Sequence, residues 1–144
     1  MFLIIFCPGD SLPVVNSTFG SAAMPNPFVH VELNTTDISA AKKFYGSLFG
    51  WSLQDVPMGN GHAYTMINVG EGTGGGMQQH PVKGAPSGWL SYVTVDDLKA
   101  STEKARKLGA KVMQEPMEVM GMGSLSVIID PTGAALGLWQ PASK

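Results

Sequence analysis

Two residues of this 144-residue chain combine acid–base chemistry with a fixed spacing: His30 and Glu32, in Phe28-Val-His-Val-Glu-Leu-Asn34. Imidazole titrates nearest to neutral pH of the ordinary side chains, and a neighbouring carboxylate can orient it and raise its basicity, as a general base requires. Residues i and i+2 of a β-strand leave the same face, about 7 Å apart along the chain. The pair is therefore an acid/base dyad only where both side chains lean together. The plainer reading of His30 is a hydrogen-bonded histidine in a half-buried strand. Glu32 needs water or a partner in either case, because a carboxylate on an inner face is costly alone.

The strand that positions them is Phe28–Asp37. Val29, Val31 and Leu33 alternate with His30, Glu32 and Asn34, so one face is apolar and the other looks like the lining of a cleft. Asp37 can cap a helix over Ile38–Phe49 whose buried face would be Ile38, Ala41, Phe44, Tyr45 and Leu48, closed by Gly50. Strands are expected at Trp51–Val56, stopped by Pro57, and at His62–Val69. The glycine-rich Gly70–Gly76 follows, then extended Met77–Gln79, then a linker over His80–Gly88. The order then repeats. Trp89–Val95 is a strand, and Asp97 caps a helix burying Leu98, Thr102, Ala105 and Leu108, with Glu103 and Lys107 as an i,i+4 pair. Gly109 ends that helix. Strands follow at Ala110–Glu115, stopped by Pro116, at Leu125–Asp130 and at Ala134–Gln140.

This is an internal duplication. Asp37 matches Asp97, Phe49–Pro57 matches Leu108–Pro116, and Gly72–Met77 matches Gly133–Leu138. Each half reads β-α-β-β-β. Neither half can bury both sheet faces alone. The expected α+β fold therefore joins two βαβββ repeats into a curved, mostly antiparallel eight-stranded sheet around a cleft, with the helices outside.

Composition fits one globular domain: 44% hydrophobic, 14% charged, net charge −2. No basic block marks a nucleic-acid footprint. Cys7 is the single cysteine, which excludes an intrachain disulfide and suits a reducing, cytoplasmic setting. No run reaches transmembrane length, so neither membrane nor nucleic acid is an expected partner. Residues 1–23 differ in composition from the rest. They read as a poorly ordered extension ahead of a single domain over 24–144, as from a start codon assigned upstream of Met24. A secretory signal, or a strand Phe2–Phe6 added to a sheet edge, are the other readings, and the first lacks a positive n-region.

Phe28-Val-His-Val-Glu-Leu33, Asp37 through Phe44-Tyr45 and Leu48-Phe49-Gly50-Trp51, and Asp130-Pro-Thr-Gly133 with Gly137-Leu-Trp-Gln140 together resemble the glyoxalase / bleomycin-resistance / extradiol-dioxygenase superfamily, also called vicinal oxygen chelate. The resemblance spans residues 24–141. It implies a divalent metal (Zn, Ni, Mn or Fe) held by side chains of the first, fourth, fifth and eighth strands. Those positions fall here on His30, Gly76, Leu90 and Gly137, so His30 is the one family ligand position retained. The expectation is accordingly no cofactor, with a divalent metal as the minority alternative.

The cleft-facing residues expected to touch a ligand are Tyr92, Trp139, Leu90, Tyr64 and Gln78, with His30 and Glu32 as the candidate catalytic pair. Plain core filling competes for Leu90. The Gly72–Gly76 run lacks the Gly-Lys-Ser/Thr ending of a phosphate loop, and close backbone approach within a strand explains it better. Met113, Met117, Met120 and Met122 read as a flexible apolar lid or dimer surface, and His80 as exposed. The leading functional reading is a protein that binds a small, partly apolar or aromatic molecule without the metal centre, a mode for which the bleomycin-resistance branch gives a precedent. The alternative is an enzyme of the glyoxalase/lyase, isomerase or dioxygenase type, using an altered metal site or the His30–Glu32 pair. A third is an interaction module with a vestigial cleft. Self-association as a C2 homodimer is expected from the apolar surface of Phe49, Trp51 and Met117–Met122.

Overall fold

In a computed structural model of the chain, the described residues are 25–143. The expectations for residues 1–23, including the Phe2–Phe6 strand, lie outside them. The elements run β1 (Phe28–Thr35), α1 (Ile38–Leu48), β2 (Ser52–Gly59), β3 (His62–Asn68), β4 (Gly75–Gln79), β5 (Gly88–Thr94), α2 (Leu98–Lys107), β6 (Lys111–Val119), β7 (Gly123–Ile129) and β8 (Ala135–Pro141). The strands form one eight-stranded sheet in the order β2-β3-β4-β1-β5-β8-β7-β6. β1–β4 and β5–β8 pair parallel and the other neighbours antiparallel, so the two βαβββ repeats meet along the β1–β5 seam of one chain.

Each helix starts as the sequence dictates. The Asp37 carboxylate accepts the Ala40 N–H and the Asp97 carboxylate the Ala100 N–H, both at 2.9 Å. Each helix then covers one half of the sheet. Ile38, Ala41 and Tyr45 of α1 pack on Leu33, Ile67 and Met77, while Leu98 and Ala105 of α2 pack on Val95, Ile128 and Leu138. Leu33 thus points to the helix side, which turns His30, Glu32 and Asn34 toward the concave side.

Several expectations are corrected. Phe44 is 58% exposed, Leu48 56% and Leu108 71%, so the helix stripes touching the sheet are narrower than their apolar patterns. Glu103 pairs with Arg106 rather than Lys107, and Arg106 reaches on to Glu115 at 2.5 Å. Pro57 and Pro116 do not stop their strands. They sit inside β2 and β6, the two edges of the sheet, where a missing N–H breaks no ladder, and the register shifts beside each. His80 is half-buried, and its Nδ1 accepts the Val82 N–H at 3.0 Å.

Candidate functional site

The seam between the repeats is where cleft-facing side chains converge. In register, Glu32 stands opposite Gly76 of β4 on one side and Leu90 of β5 on the other. His30 stands opposite Tyr92, Tyr92 opposite Gly137 of β8, and Asn34 opposite Gln78. One carboxylate sits at the centre of this arrangement.

Glu32 is 8% exposed. Its Oε1 accepts hydrogen bonds from Asn34 Nδ2 at 3.0 Å, Gln78 Nε2 at 3.3 Å and the Tyr92 hydroxyl at 3.3 Å. Its Oε2 accepts the Tyr64 hydroxyl at 3.0 Å. Gln78 also donates to Asn34 Oδ1 at 3.0 Å. Four neutral donors from β1, β3, β4 and β5 therefore hold one buried carboxylate, the condition under which burial of a charge is tolerated.

His30 does not meet Glu32 directly. Its Nε2 lies 2.7 Å from the Tyr64 hydroxyl, and that hydroxyl bridges to Glu32. A phenol has one hydrogen to give. With that hydrogen on Glu32, His30 must donate from Nε2, which assigns the Nε2–H tautomer and leaves a lone pair on Nδ1. The condition for a direct dyad, that both side chains lean together, is not met; the Tyr64 hydroxyl, brought in from β3, bridges them instead. Burial lowers the His30 pKa below its ordinary 6.5, against the opposing pull of the Glu32 charge. Burial, reinforced by the same charge, raises both Tyr64 and Tyr92, so both remain protonated donors.

The two tyrosines explain two glycines. A Cβ built on Gly76 would lie 2.2 Å from the Tyr64 ring, and one on Gly137 would lie 2.2 Å from the Tyr92 ring. Each ring occupies the space a side chain would take, so the strand must be bare there to admit it. At Gly123 a Cβ would meet both the Trp139 indole and the Gln140 carbonyl oxygen at 2.5 Å. Trp139 is half-buried and pairs with Thr94 and Leu125, one row beyond the carboxylate cluster. The His30 ring lies between the tyrosines, its centroid 6.2 Å from Tyr64 and 5.9 Å from Tyr92.

These positions do not fit the metal that the family resemblance implies. Leu90 has no donor atom, and the space beyond Gly76 and Gly137 is filled by the rings of Tyr64 and Tyr92. Among the described residues, no three His, Cys, Asp or Glu side chains gather closely enough to hold an ion.

The structure gathers His30, Glu32, Tyr64, Gln78 and Tyr92 into one hydrogen-bonded group, with Leu90 opposite Glu32 and Trp139 apart from the polar cluster. Sequence reasoning did not single out Asn34. Its signal was present, since Asn34 continues the i, i+2, i+4 row of His30 and Glu32.

A family model described as the Glyoxalase/Bleomycin resistance protein/Dioxygenase superfamily matches residues 28–138. A putative glyoxylase, CFP32, of Mycobacterium tuberculosis is 46% identical over 116 residues, covering 76% of this chain and 44% of that protein. The anthracycline biosynthesis protein DnrV of Streptomyces peucetius is 28% identical over 123 residues, covering 76% of this chain and 45% of that protein. The chain thus spans less than half the length of these two relatives. Among solved structures, methylmalonyl-CoA epimerase from Mycobacterium tuberculosis superposes with a TM-score of 0.61 at 18% identity, covering 81% of this chain and 88% of that one, a likeness of fold.

Proposed function

This chain belongs to the glyoxalase/bleomycin-resistance/dioxygenase superfamily, and from that premise we propose that it binds a small, partly apolar or aromatic molecule on the concave face of its sheet, without a metal centre. The observation that carries this reading is the pair of tyrosine rings over Gly76 and Gly137. They stand where carboxylates of the fourth and eighth strands would have to begin, so the chain itself fills that space. What remains on the concave face is ring surface from His30, Tyr64, Tyr92 and Trp139, the aliphatic Leu90, and the polar Gln78 and Asn34. Aromatic walls with a few fixed polar groups are what a small-molecule site needs. The name of the anthracycline-biosynthesis relative supports a ring-bearing ligand.

Metal analysis of protein purified without chelator tests the reading. Substoichiometric Zn, Ni, Mn and Fe are expected. A stoichiometric metal that is lost in His30→Ala would overturn it.

A second reading has one observation in its favour. His30 is a neutral imidazole with its Nε2–H engaged and its Nδ1 lone pair free of hydrogen bonds among the described residues, which suits a general base. In this reading the chain is an enzyme of the lyase, isomerase or dioxygenase kind, with His30 as the base and Glu32 orienting it through the Tyr64 hydroxyl. Turnover of hemithioacetals, epoxides, catechols or α-oxo acids that disappears in His30→Ala would favour it. Activity surviving in that variant would remove His30 from the chemistry.

A cytoplasmic homodimer completes the proposal. Cys7 as the single cysteine suits a reducing compartment, and no helix among the described residues is long and apolar enough to cross a membrane. Phe44, Leu48, Phe49 and Trp89, with Met113, Met117, Met120 and Met122, are all exposed, which supports association through an apolar face. Light scattering over a dilution series should give twice the 15.2 kDa chain mass; a constant monomer mass would refute the dimer.

A further inference from the structure

The six inner strands β1, β3, β4, β5, β7 and β8 contain no lysine, arginine or aspartate, and Glu32 is their one glutamate. The basic residues of the described chain lie on α1, α2, the edge strand β6 and the β4–β5 linker. The ion pairs found among the described residues join Lys42 to Asp55 and Arg106 to Glu103 and Glu115. None reaches Glu32. Its four donors are two amides and two phenols, which satisfy hydrogen bonds but leave the charge in place. His30 does not supply a cation either, because burial favours its neutral form. The concave face therefore holds one buried negative charge with no counter-ion among the described residues. Oε1 accepts three hydrogen bonds and Oε2 one, so an acceptor direction remains at Oε2.

We infer that the ligand brings the missing cation: the cleft takes a protonated organic amine carried on an aromatic or apolar body, with the ammonium at Glu32 among the rings of His30, Tyr64 and Tyr92. An ammonium is attracted both by the carboxylate and by aromatic ring faces, and each attraction strengthens where water is excluded. The body would extend past Leu90, which stands opposite Glu32, toward Trp139. Anionic ligands are disfavoured by the same charge. The inference rests on the small-molecule reading above and narrows it to one charge class.

Three probes with one ring system separate the two ideas: 2-naphthylmethylammonium, 2-naphthylmethanol and 2-naphthoate, titrated calorimetrically into the full chain. The ammonium should bind at least about tenfold more tightly than the alcohol, and the naphthoate most weakly. Glu32→Gln should bring the ammonium-to-alcohol ratio to about one. Leu90→Lys, which sets a lysine opposite Glu32, should also bring the ratio to about one, whatever it does to the affinity for the alcohol, and serves if Glu32→Gln fails to fold. Alcohol or naphthoate binding as tightly as the ammonium would overturn the inference and leave the small-molecule reading standing, as would an ammonium preference that survives in either variant. If no probe binds, both fall.

Discussion

Gly76→Ala tests the packing on which the site depends. The added methyl would meet the Tyr64 ring at 2.2 Å, and no backbone atom is among its nearest neighbours. The ring must therefore move. Overpacking of this kind costs about 1–3 kcal/mol. If the ring swings away, its hydroxyl also leaves Glu32 and His30, and a hydrogen bond to a charged group is worth about 1.5–3 kcal/mol. The expected loss is about 2–5 kcal/mol in urea unfolding, after the small gain that alanine usually brings over glycine in a strand. In a Tyr64→Ala background the obstruction is gone, and Gly76→Ala should be neutral or stabilising by up to about 1 kcal/mol. The double-mutant cycle should thus report a coupling of about 2–6 kcal/mol. Gly75→Ala is the control. Its Cβ would meet the Val31 carbonyl oxygen, a backbone atom, at 2.2 Å, so its cost should persist whether or not Tyr64 is present. A Gly76→Ala chain within about 0.5 kcal/mol of wild type, or a cost undiminished without Tyr64, would refute the ring-over-glycine account.

Glu32→Gln should lower stability by about 1–3 kcal/mol, since an amide oxygen replaces a charged acceptor for several donors and its NH2 faces them; urea midpoints read this directly. His30 predicts a pH dependence. Its folded pKa lies below 6.5, so the unfolded chain binds the proton first as pH falls. Its contribution is complete above 6.5 and is lost on acidification through the folded value. Thermal midpoints of wild type should therefore fall more steeply between pH 6.5 and the folded value than those of His30→Gln, and parallel curves would dismiss the effect. Asp37→Ala and Asp97→Ala each remove one N-cap at an equivalent place in the two repeats, and each should cost about 0.5–2 kcal/mol. Lys42→Ala, which breaks a solvent-exposed pair with Asp55, should change stability by less than about 1 kcal/mol.

What the sequence determined by itself was local and periodic. Alternation in Phe28–Asn34 told which face His30, Glu32 and Asn34 share, because the pleat allows no other arrangement. The matched Asp37/Asp97 caps and glycine runs made the duplication legible, and with it the two βαβββ units. The same alignment exposed Gly76, Leu90 and Gly137 as positions without metal donors. The sequence could not tell what occupies the space those glycines leave. Tyr64 is 12 residues from Gly76, and Tyr92 is 45 from Gly137. Their meeting depends on the β3–β4 and β5–β8 registers and on the direction each ring takes from its strand. Nor could it foresee that Phe44, Leu48 and Leu108 stay exposed, since a helical stripe states which residues share a side but not how much of that side the sheet reaches. The edge placement of β2 and β6, which tolerates Pro57 and Pro116, is likewise a property of strand order. Above all, the link between His30 and Glu32 through Tyr64 was decided by tertiary structure, because a hydrogen bond of 2.7 Å between residues 34 apart exists only once β3 has been laid beside β4 and β4 beside β1.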